Sequence, residues 1–282
     1  MTIERYLAWD TSSIAGVVAA FEIEGHRKRM VASFSLSLET SRHSERLLWT
    51  IDTVLEGAGW KPEALNGIVC GVGPGSFTGI RIGITTANML ASQLKIPLIP
   101  ISSMALLARP AVDALLFGQK SKHDKTLVIA CTDATKGEWF TLMGSAQGVS
   151  NCVMMAEGDV AGIWARGVTE SALTPEMVFE QARQYLKKTG PSTEWVAIGQ
   201  SVERYAEDFS VLPAKKRVEL STQNLHQVDP RTLMTLAYEA IQQGVKLLGP
   251  IRPRYLRDSD AQVKLRNGTL KAAPAFHRGG IA

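Results

Sequence analysis

Gly71-Val72-Gly73-Pro74-Gly75-Ser76-Phe77-Thr78-Gly79-Ile80-Arg81-Ile82-Gly83 is the stretch whose reading decides the fold. It follows a short apolar run, Gly67 to Val72, and leads into a helical pattern from about Phe77 to Leu94. A glycine-rich turn between strand and helix presents free backbone N–H groups at a positive helix end, which suits an anion. Yet the stretch fails the nucleotide-loop templates. It has no lysine, so it is not a P-loop, and the third glycine of the dinucleotide fingerprint would fall at Ser76. Pro74 stands where the G-x-S-x-G elbow needs glycine, so a serine hydrolase is set aside.

The helix says more than the loop. Gly79, Gly83, Ala87 and Ala91 recur every four residues as a smooth stripe, with Phe77, Ile80, Ile84 and Leu94 on a neighbouring face. Each helical glycine costs about 0.8–1.0 kcal/mol relative to alanine. A helix accepting that cost needs the close approach of another backbone. Its own sheet can supply it, or the helix of a partner subunit can. On the partner reading, Gly79, Gly83 and Ala87 are the close-packing residues, and Gly83→Leu is expected to abolish association while leaving the monomer folded. A homodimer through the same stripe is the alternative when the partner is absent.

Upstream, Tyr6-Leu7-Ala8-Trp9 is an apolar run ending in the polar turn Asp10-Thr11-Ser12-Ser13. Gly16 to Ile23 and Arg29 to Leu38 are two further runs, and the three read as an antiparallel meander. The period then changes. Leu47, Leu48, Ile51, Val54, Leu55 and Ala58 form one face of a 3.6-residue helix, with Thr40 or Ser41 as candidate cap.

Downstream, Leu98 to Ile101 is a strand and a helix opens at Ser102 or Ser103. Strand–helix–strand order predicts parallel pairing beside the meander. Pro110, Gly118 and the polar run Gln119 to Lys125 suggest a boundary. The chain then restarts with a strand (Thr126 to Thr132), a turn (Asp133 to Gly137) and a return strand (Glu138 to Met143). A helix from Pro175, a strand at Trp195 to Ile198 and a helix near Pro230 to Gln243 follow. Both halves place Asp and then Thr in the turn after their first strand: Asp10-Thr11 and Asp133-Ala134-Thr135. That echo predicts a duplicated α/β fold with a first lobe over 1–108, a smaller lobe over 109–229, and a C-terminal helix and basic tail over 230–282.

Composition agrees with a globular chain: 282 residues, 45% hydrophobic and 21% charged. Cys70, Cys131 and Cys152 are odd in number and lack C-x-x-C spacing, which excludes a disulfide framework or cysteine zinc site and predicts core thiols. No secretory signal or membrane span is expected, and a cytoplasmic protein follows.

Asp10-Thr11-Ser12 after a strand, His43-Ser44-Glu45-Arg46-Leu47-Leu48 opening a helix, the stretch from Gly73 to Gly83, and Pro253-Arg254-Tyr255-Leu256-Arg257 together resemble the TsaB family, also called YeaZ. Residues 5–108 carry the resemblance; over 109–245 only the element order agrees. The resemblance implies an actin-like ATPase-superfamily (ASKHA) fold of two related lobes. It implies a non-catalytic scaffold in bacterial formation of threonylcarbamoyladenosine (t6A) at position 37 of tRNAs reading A-starting codons. It implies pairing with TsaD, the metal-containing catalytic paralogue, work with the ATPase TsaE, and contact with tRNA only through the complex. No cofactor is expected in the isolated chain; ATP or ADP and metal belong to the partner subunits. Pairing would use the helices at about 43–58 and 77–94, with Leu47, Leu48, Ile51, Gly79, Ile80, Gly83 and Ala87 as partner-binding residues.

The paralogue holds metal with H-x-E-G-H, and the matching segment here, Met104 to Arg109, has no His, Asp or Glu. His26, His43, His123, His226 and His277 include no i, i+4 pair, so no metal site is expected. Actin-like ATPases carry D-x-G-T, whereas Asp10-Thr11-Ser12 lacks the glycine, and the adenosine-side glycine pair is reduced to Gly199. Asp10, Thr11, Ser12 and Gly199 remain candidate vestigial nucleotide-binding residues; the competing reading has the first three satisfying their own turn. The alternative function is an active actin-like kinase or ATPase using Asp10, Ser12 and Gly199. Asp133 and Glu138 flank a turn and read as a solvated hairpin, and Trp60, Trp139 and Trp164 read as packing anchors.

The net charge of +4 is unevenly placed. From Val245 onward eight Lys and Arg face two Asp, which leaves residues 1–244 slightly acidic. The end of the chain is therefore expected to be a solvated basic tail, with tRNA phosphate as the competing partner.

Overall fold

The structure is a computed structural model describing residues 2–37, 43–116, 124–151, 168–218 and 227–257. The expected caps Thr40 and Ser41, Cys152, Trp164, three of the histidines and the tail beyond 257 lie outside the described residues.

Strands β1 (Glu4–Asp10), β2 (Ala15–Glu24) and β3 (Arg27–Ser37) form the meander that the sequence predicts. Strands β4 (Gly67–Gly71) and β5 (Leu98–Ile101) join β1 in parallel, giving the order β3-β2-β1-β4-β5. The second sheet repeats the plan. Strand β6 (Leu127–Asp133) lies between antiparallel β7 (Trp139–Ser145) and parallel β9 (Trp195–Ile198), with β8 (Thr169–Leu173) beyond β7. The Asp-Thr echo is thus an echo of structure: each turn follows the central strand of its sheet.

Helices α1 (His43–Ala58) and α2 (Phe77–Leu94) cover one face of the first sheet, against Leu7, Trp9, Val18, Ala20, Ile68 and Cys70. The alternate residues Tyr6, Ala8, Ala19 and Phe21 face the opposite core, as the period of two requires. There α3 (Ser103–Leu116) and α7 (Pro230–Gln242) lie, in one cluster that also takes Val128, Ala130, Phe140 and Leu142 from the second sheet. Helices α5 (Pro175–Thr189) and α6 (Gln200–Arg204) flank the outer face of the second sheet, and a five-residue helix α4 (Ala146–Ser150) follows β7. The architecture is α/β, with two related lobes of mixed sheet.

The boundary reading changes. Pro110 does not end α3; it sits inside the helix. Proline removes one i→i−4 hydrogen bond and crowds the preceding turn. Burial of Leu106, Leu107, Ala108, Ala111 and Val112 on the shared core outweighs that loss. A division at 108/109 therefore cuts a helix that serves both lobes. Helix α7, set apart with the tail in the sequence reading, packs against the first sheet. Leu247 then pairs with Leu98, and the side-chain amide of Asn88 brackets the Ile251 backbone at 2.9 and 3.0 Å. The chain is folded as far as Arg257, so the segment after Gly244 is not tail from its start.

Of the two approaches that the stripe left open, the structure shows the one from within the chain at Gly79 and Gly83. A Cβ on Gly79 would stand 2.0 Å from the Thr11 carbonyl oxygen, and one on Gly83 would stand 2.3 Å from Thr11 Oγ1. The Thr11 hydroxyl donates to the Gly79 carbonyl at 2.7 Å, and the Trp9 indole N–H donates to the Gly83 carbonyl at 3.1 Å. The backbone that approaches closely is the chain's own first turn. Gly79→Ala is expected to cost about 1–3 kcal/mol by overpacking against backbone. Gly83→Leu is expected to destabilise the monomer itself, reversing the outcome anticipated above. Chemical denaturation of both variants checks this, and unchanged midpoints would restore the partner reading.

Candidate functional site

A cavity of about 830 Å³ opens between the lobes. It is walled by the β1–β2 turn at Ser12 and Ser13, the start of α2 at Ser76, the β6–β7 turn at Asp133, and the C-terminal Tyr255 and Arg257.

The first wall is closed on itself. Asp10 is fully buried. Its Oδ1 accepts from the Ser12 backbone N–H at 3.0 Å and the Ser12 hydroxyl at 2.6 Å, and its Oδ2 accepts from the Ser103 hydroxyl at 2.5 Å. Burial pushes the Asp10 carboxyl above its ordinary range, while these hydrogen bonds pull it back. Ser103 in turn accepts from the Gly73 N–H at 3.0 Å. A Cβ on Gly71 would stand 1.9 Å from Asp10 Oδ2, so glycine there is what lets the carboxyl turn inward. Ser76 caps α2 by accepting from Gly79 N–H at 3.2 Å and donates its own N–H to the Ser12 carbonyl at 2.6 Å. The Gly73–Pro74 peptide is cis.

The second wall is the segment Pro253–Arg257. Arg254 (7% exposed side chain) forms an ion pair with Glu170 (0%) on β8. The other Glu170 oxygen accepts from the Ser102 hydroxyl at 2.6 Å. Burial pushes the Glu170 carboxyl up to about 7, against the opposing pull of Arg254 and Ser102. Tyr255 stacks on Phe77 with centroids 5.1 Å apart, and its hydroxyl accepts from Arg81 Nε at 2.7 Å. Arg257 donates to the Ala134 carbonyl at 2.6 Å and pairs with Glu138 at 3.2 Å.

Asp10, Thr11 and Ser12 meet at one corner, and their side chains serve the turn and α2; of the three, Ser12 alone lines the cavity. Gly199 is not part of that corner. It lies against the Cys131 carbonyl, 2.1 Å from where its Cβ would be, at a φ of +106°. Of the partner-binding residues, Leu47, Ile51, Gly79, Ile80, Gly83 and Ala87 are buried within the monomer. They pack in the core of the monomer, and of the seven Leu48 alone stays at the surface, 43% exposed. Trp49 (59%) and Met89 (57%), which the sequence pattern did not single out, are more exposed than Leu48 of α1 or Phe77 of α2. Their signal was available, since a large apolar residue off the buried stripe of an amphipathic helix has no core to fill.

Among the described residues no group of three His, Cys, Asp or Glu could hold a metal ion, and no helix is long and apolar enough to cross a membrane. Cys70 and Cys131 are free and buried, and burial pushes both thiols up, as expected of core thiols. Asp133 does not stand free: its Oδ2 meets Arg204 at 3.1 Å.

Known proteins bear on this arrangement. The family model described as TsaD, tRNA N6-adenosine threonylcarbamoyltransferase, matches residues 37–265. The tRNA threonylcarbamoyladenosine biosynthesis protein TsaB of Escherichia coli (strain K12) is 34% identical over 197 residues, which is 69% of this chain and 71% of that protein. The chain belongs to the TsaB (YeaZ) family. The TsaB protein of Haemophilus influenzae is 27% identical over 83% of this chain and 91% of its own length. The structure of YeaZ from Pseudomonas aeruginosa superposes with a TM-score of 0.61 at 25% identity, covering 90% of this chain and all of that one. The fold is the actin-like one that the TsaB resemblance implied.

The Glu170 shift makes a pH prediction. Its carboxyl titrates near 7 in the folded chain rather than near 4.5, so the native state holds that proton more tightly than the unfolded one. The stability it lends is full below about 4.5 and is lost as pH rises through about 7. Urea midpoints of the parent and of Glu170→Gln across that window should differ in slope, the parent falling more steeply with rising pH. Parallel slopes would contradict the assignment.

Proposed function

We propose that this TsaB-family chain is a non-catalytic subunit of the bacterial machinery that makes t6A at position 37 of tRNAs reading A-starting codons. It binds and supports a TsaD-like catalytic paralogue and works beside a TsaE-like ATPase. ATP or ADP and metal act on those partners, and tRNA meets this chain through the complex. The reading is of an accessory subunit, not an enzyme.

The observation that carries it is the corner at Asp10-Thr11-Ser12. An actin-like enzyme needs a carboxylate and hydroxyls free to organise metal and phosphate. Here both Asp10 oxygens accept from within the fold, and the Thr11 hydroxyl is bonded to α2. The outer face of α1 and α2 supports the partner. Leu48, Trp49 and Met89 are exposed there, and Trp49 meets the half-exposed Phe34 of edge strand β3 edge-to-face at 5.6 Å. Aromatic and methionine side chains of this kind are enriched in protein interfaces. A homodimer through the same face follows when the partner is absent.

Co-expression with a TsaD-like protein tests this. Purified tRNA should gain t6A only when both chains are present. Met89→Asp, at a solvated position, should leave the monomer's thermal midpoint unchanged and weaken co-purification at least tenfold, and Trp49→Asp should weaken it likewise while lowering the midpoint only by the loss of its Phe34 contact. Turnover of Mg–ATP by the isolated chain would favour the kinase or ATPase reading, to which the 830 Å³ cavity lends its only support.

A further inference from the structure

We propose that Pro253–Arg257 is an interlobe strap that holds the two lobes at one opening, so that the cleft neither closes on a ligand nor gapes without one.

The strap touches the lobes alternately. The Arg254 backbone N–H donates to the Val72 carbonyl of the first lobe at 2.8 Å. Its guanidinium pairs with Glu170 of the second. Ser102, at the end of β5 in the first lobe, donates to the same carboxylate and also accepts from the Ala105 N–H at 3.1 Å, at the start of α3. One desolvated carboxylate thus ties β8, the strap and the first lobe together. Tyr255 then returns to the first lobe, stacked on Phe77 and hydrogen-bonded to Arg81, whose guanidinium lies 3.8 Å over the Phe77 ring. Arg257 crosses again to the β6–β7 turn, donating to the Ala134 carbonyl and the Thr135 hydroxyl at 2.6 and 3.0 Å.

Two properties make this a clamp rather than a contact. The Arg254–Glu170 pair is almost wholly out of water, and each partner is tied again, the Arg254 backbone N–H to the Val72 carbonyl and the Glu170 carboxylate to the Ser102 hydroxyl. The links line the mouth of the cleft, and one of them, Ser102, also holds the first turn of α3, which passes between the lobes within the shared core. A helix packed on both lobes in the core and ties at the mouth hold the lobes from two sides.

The experiment reads the opening directly in the full chain. Spin labels at Thr78→Cys in the first lobe and Lys136→Cys in the second, in a Cys152→Ser background, give an interlobe distance distribution by pulsed electron spin resonance. A single narrow distribution is expected for the parent, with at least a twofold broadening in Arg254→Met. Tyr255→Ala combined with Arg257→Met removes two links at partly exposed positions, and should broaden the distribution likewise even where Arg254→Met fails to fold. Amide exchange should rise together at the 72–76 loop and the 133–138 turn. An unchanged width in the folded variants, or faster exchange confined to residues 253–257, would overturn the strap.

Discussion

The contact between the N-terminal half of α2 and the end of β1 is the constraint from which the rest of the first lobe follows. Thr11 lies so close beneath the helix that no side chain fits at Gly79 or Gly83. Its hydroxyl and the Trp9 indole reach carbonyls of the helix. Those bonds fix where the glycine loop must pass, and the loop's Ser76 N–H closes onto the Ser12 carbonyl. With the turn held from above, Asp10 has nowhere to point but inward, into the space that Gly71 leaves open. A buried carboxyl without partners would be costly, and Ser12 and Ser103 supply them. The same geometry that packs the lobe therefore turns the Asp10 carboxyl inward, onto Ser12 and Ser103.

Much of this fold was legible. Three strands with alternating and apolar runs, a helix with a 3.6-residue stripe and a strand–helix–strand unit fixed the first sheet, because its elements are long and bounded by turn signals. The Asp-Thr echo disclosed the duplication. Three features were not legible, each for a physical reason. Pro110 reads as a breaker locally, and only burial on both lobes keeps α3 running through it. Strand β8 is a short edge strand of mostly half-buried residues, Thr-Glu-Ser-Ala-Leu, with no alternation to betray it. The small-residue stripe announced a close approach correctly but could not say whose backbone approached. Spacing reports the shape of a surface, not the identity of what covers it.

The candidate site divides the same way. The corner at Asp10 to Ser12 is contiguous in sequence, so its composition could be weighed in advance, and the reading that its side chains serve their own turn is the one the hydrogen bonds support. The strap could not be weighed. Arg254 and Glu170 lie far apart in the chain, and nothing in either neighbourhood marks them as partners. Read as sequence, Arg254 and Arg257 belong to the family-like stretch Pro253–Arg257 and add to the basic charge of the chain's end, with no partner indicated. In the structure each is bound to a carboxylate, and Lys246 lies 3.6 Å from Glu4.

That pairing alters what the charge of the chain means. A polyanion is drawn by cations that solvent can reach, and counterion release counts only those. Arg254 and Arg257 are bound in the interlobe contacts, so the positive charge they add to the sequence total is not offered to a phosphate backbone. Their worth is geometric: a desolvated guanidinium accepts one arrangement of carboxylate and little else. On the accessory-subunit reading proposed for this chain, a cleft whose Asp10 carboxyl faces inward sets its lobes no catalytic motion to perform. A subunit whose task is to present α1 and α2 to a partner has a reason to hold them still, because a surface already in its binding geometry gives up less freedom on association. Inward-facing Asp10, the close contact of α2 on Thr11 and the cross-lobe charges act together in one direction, toward a rigid platform.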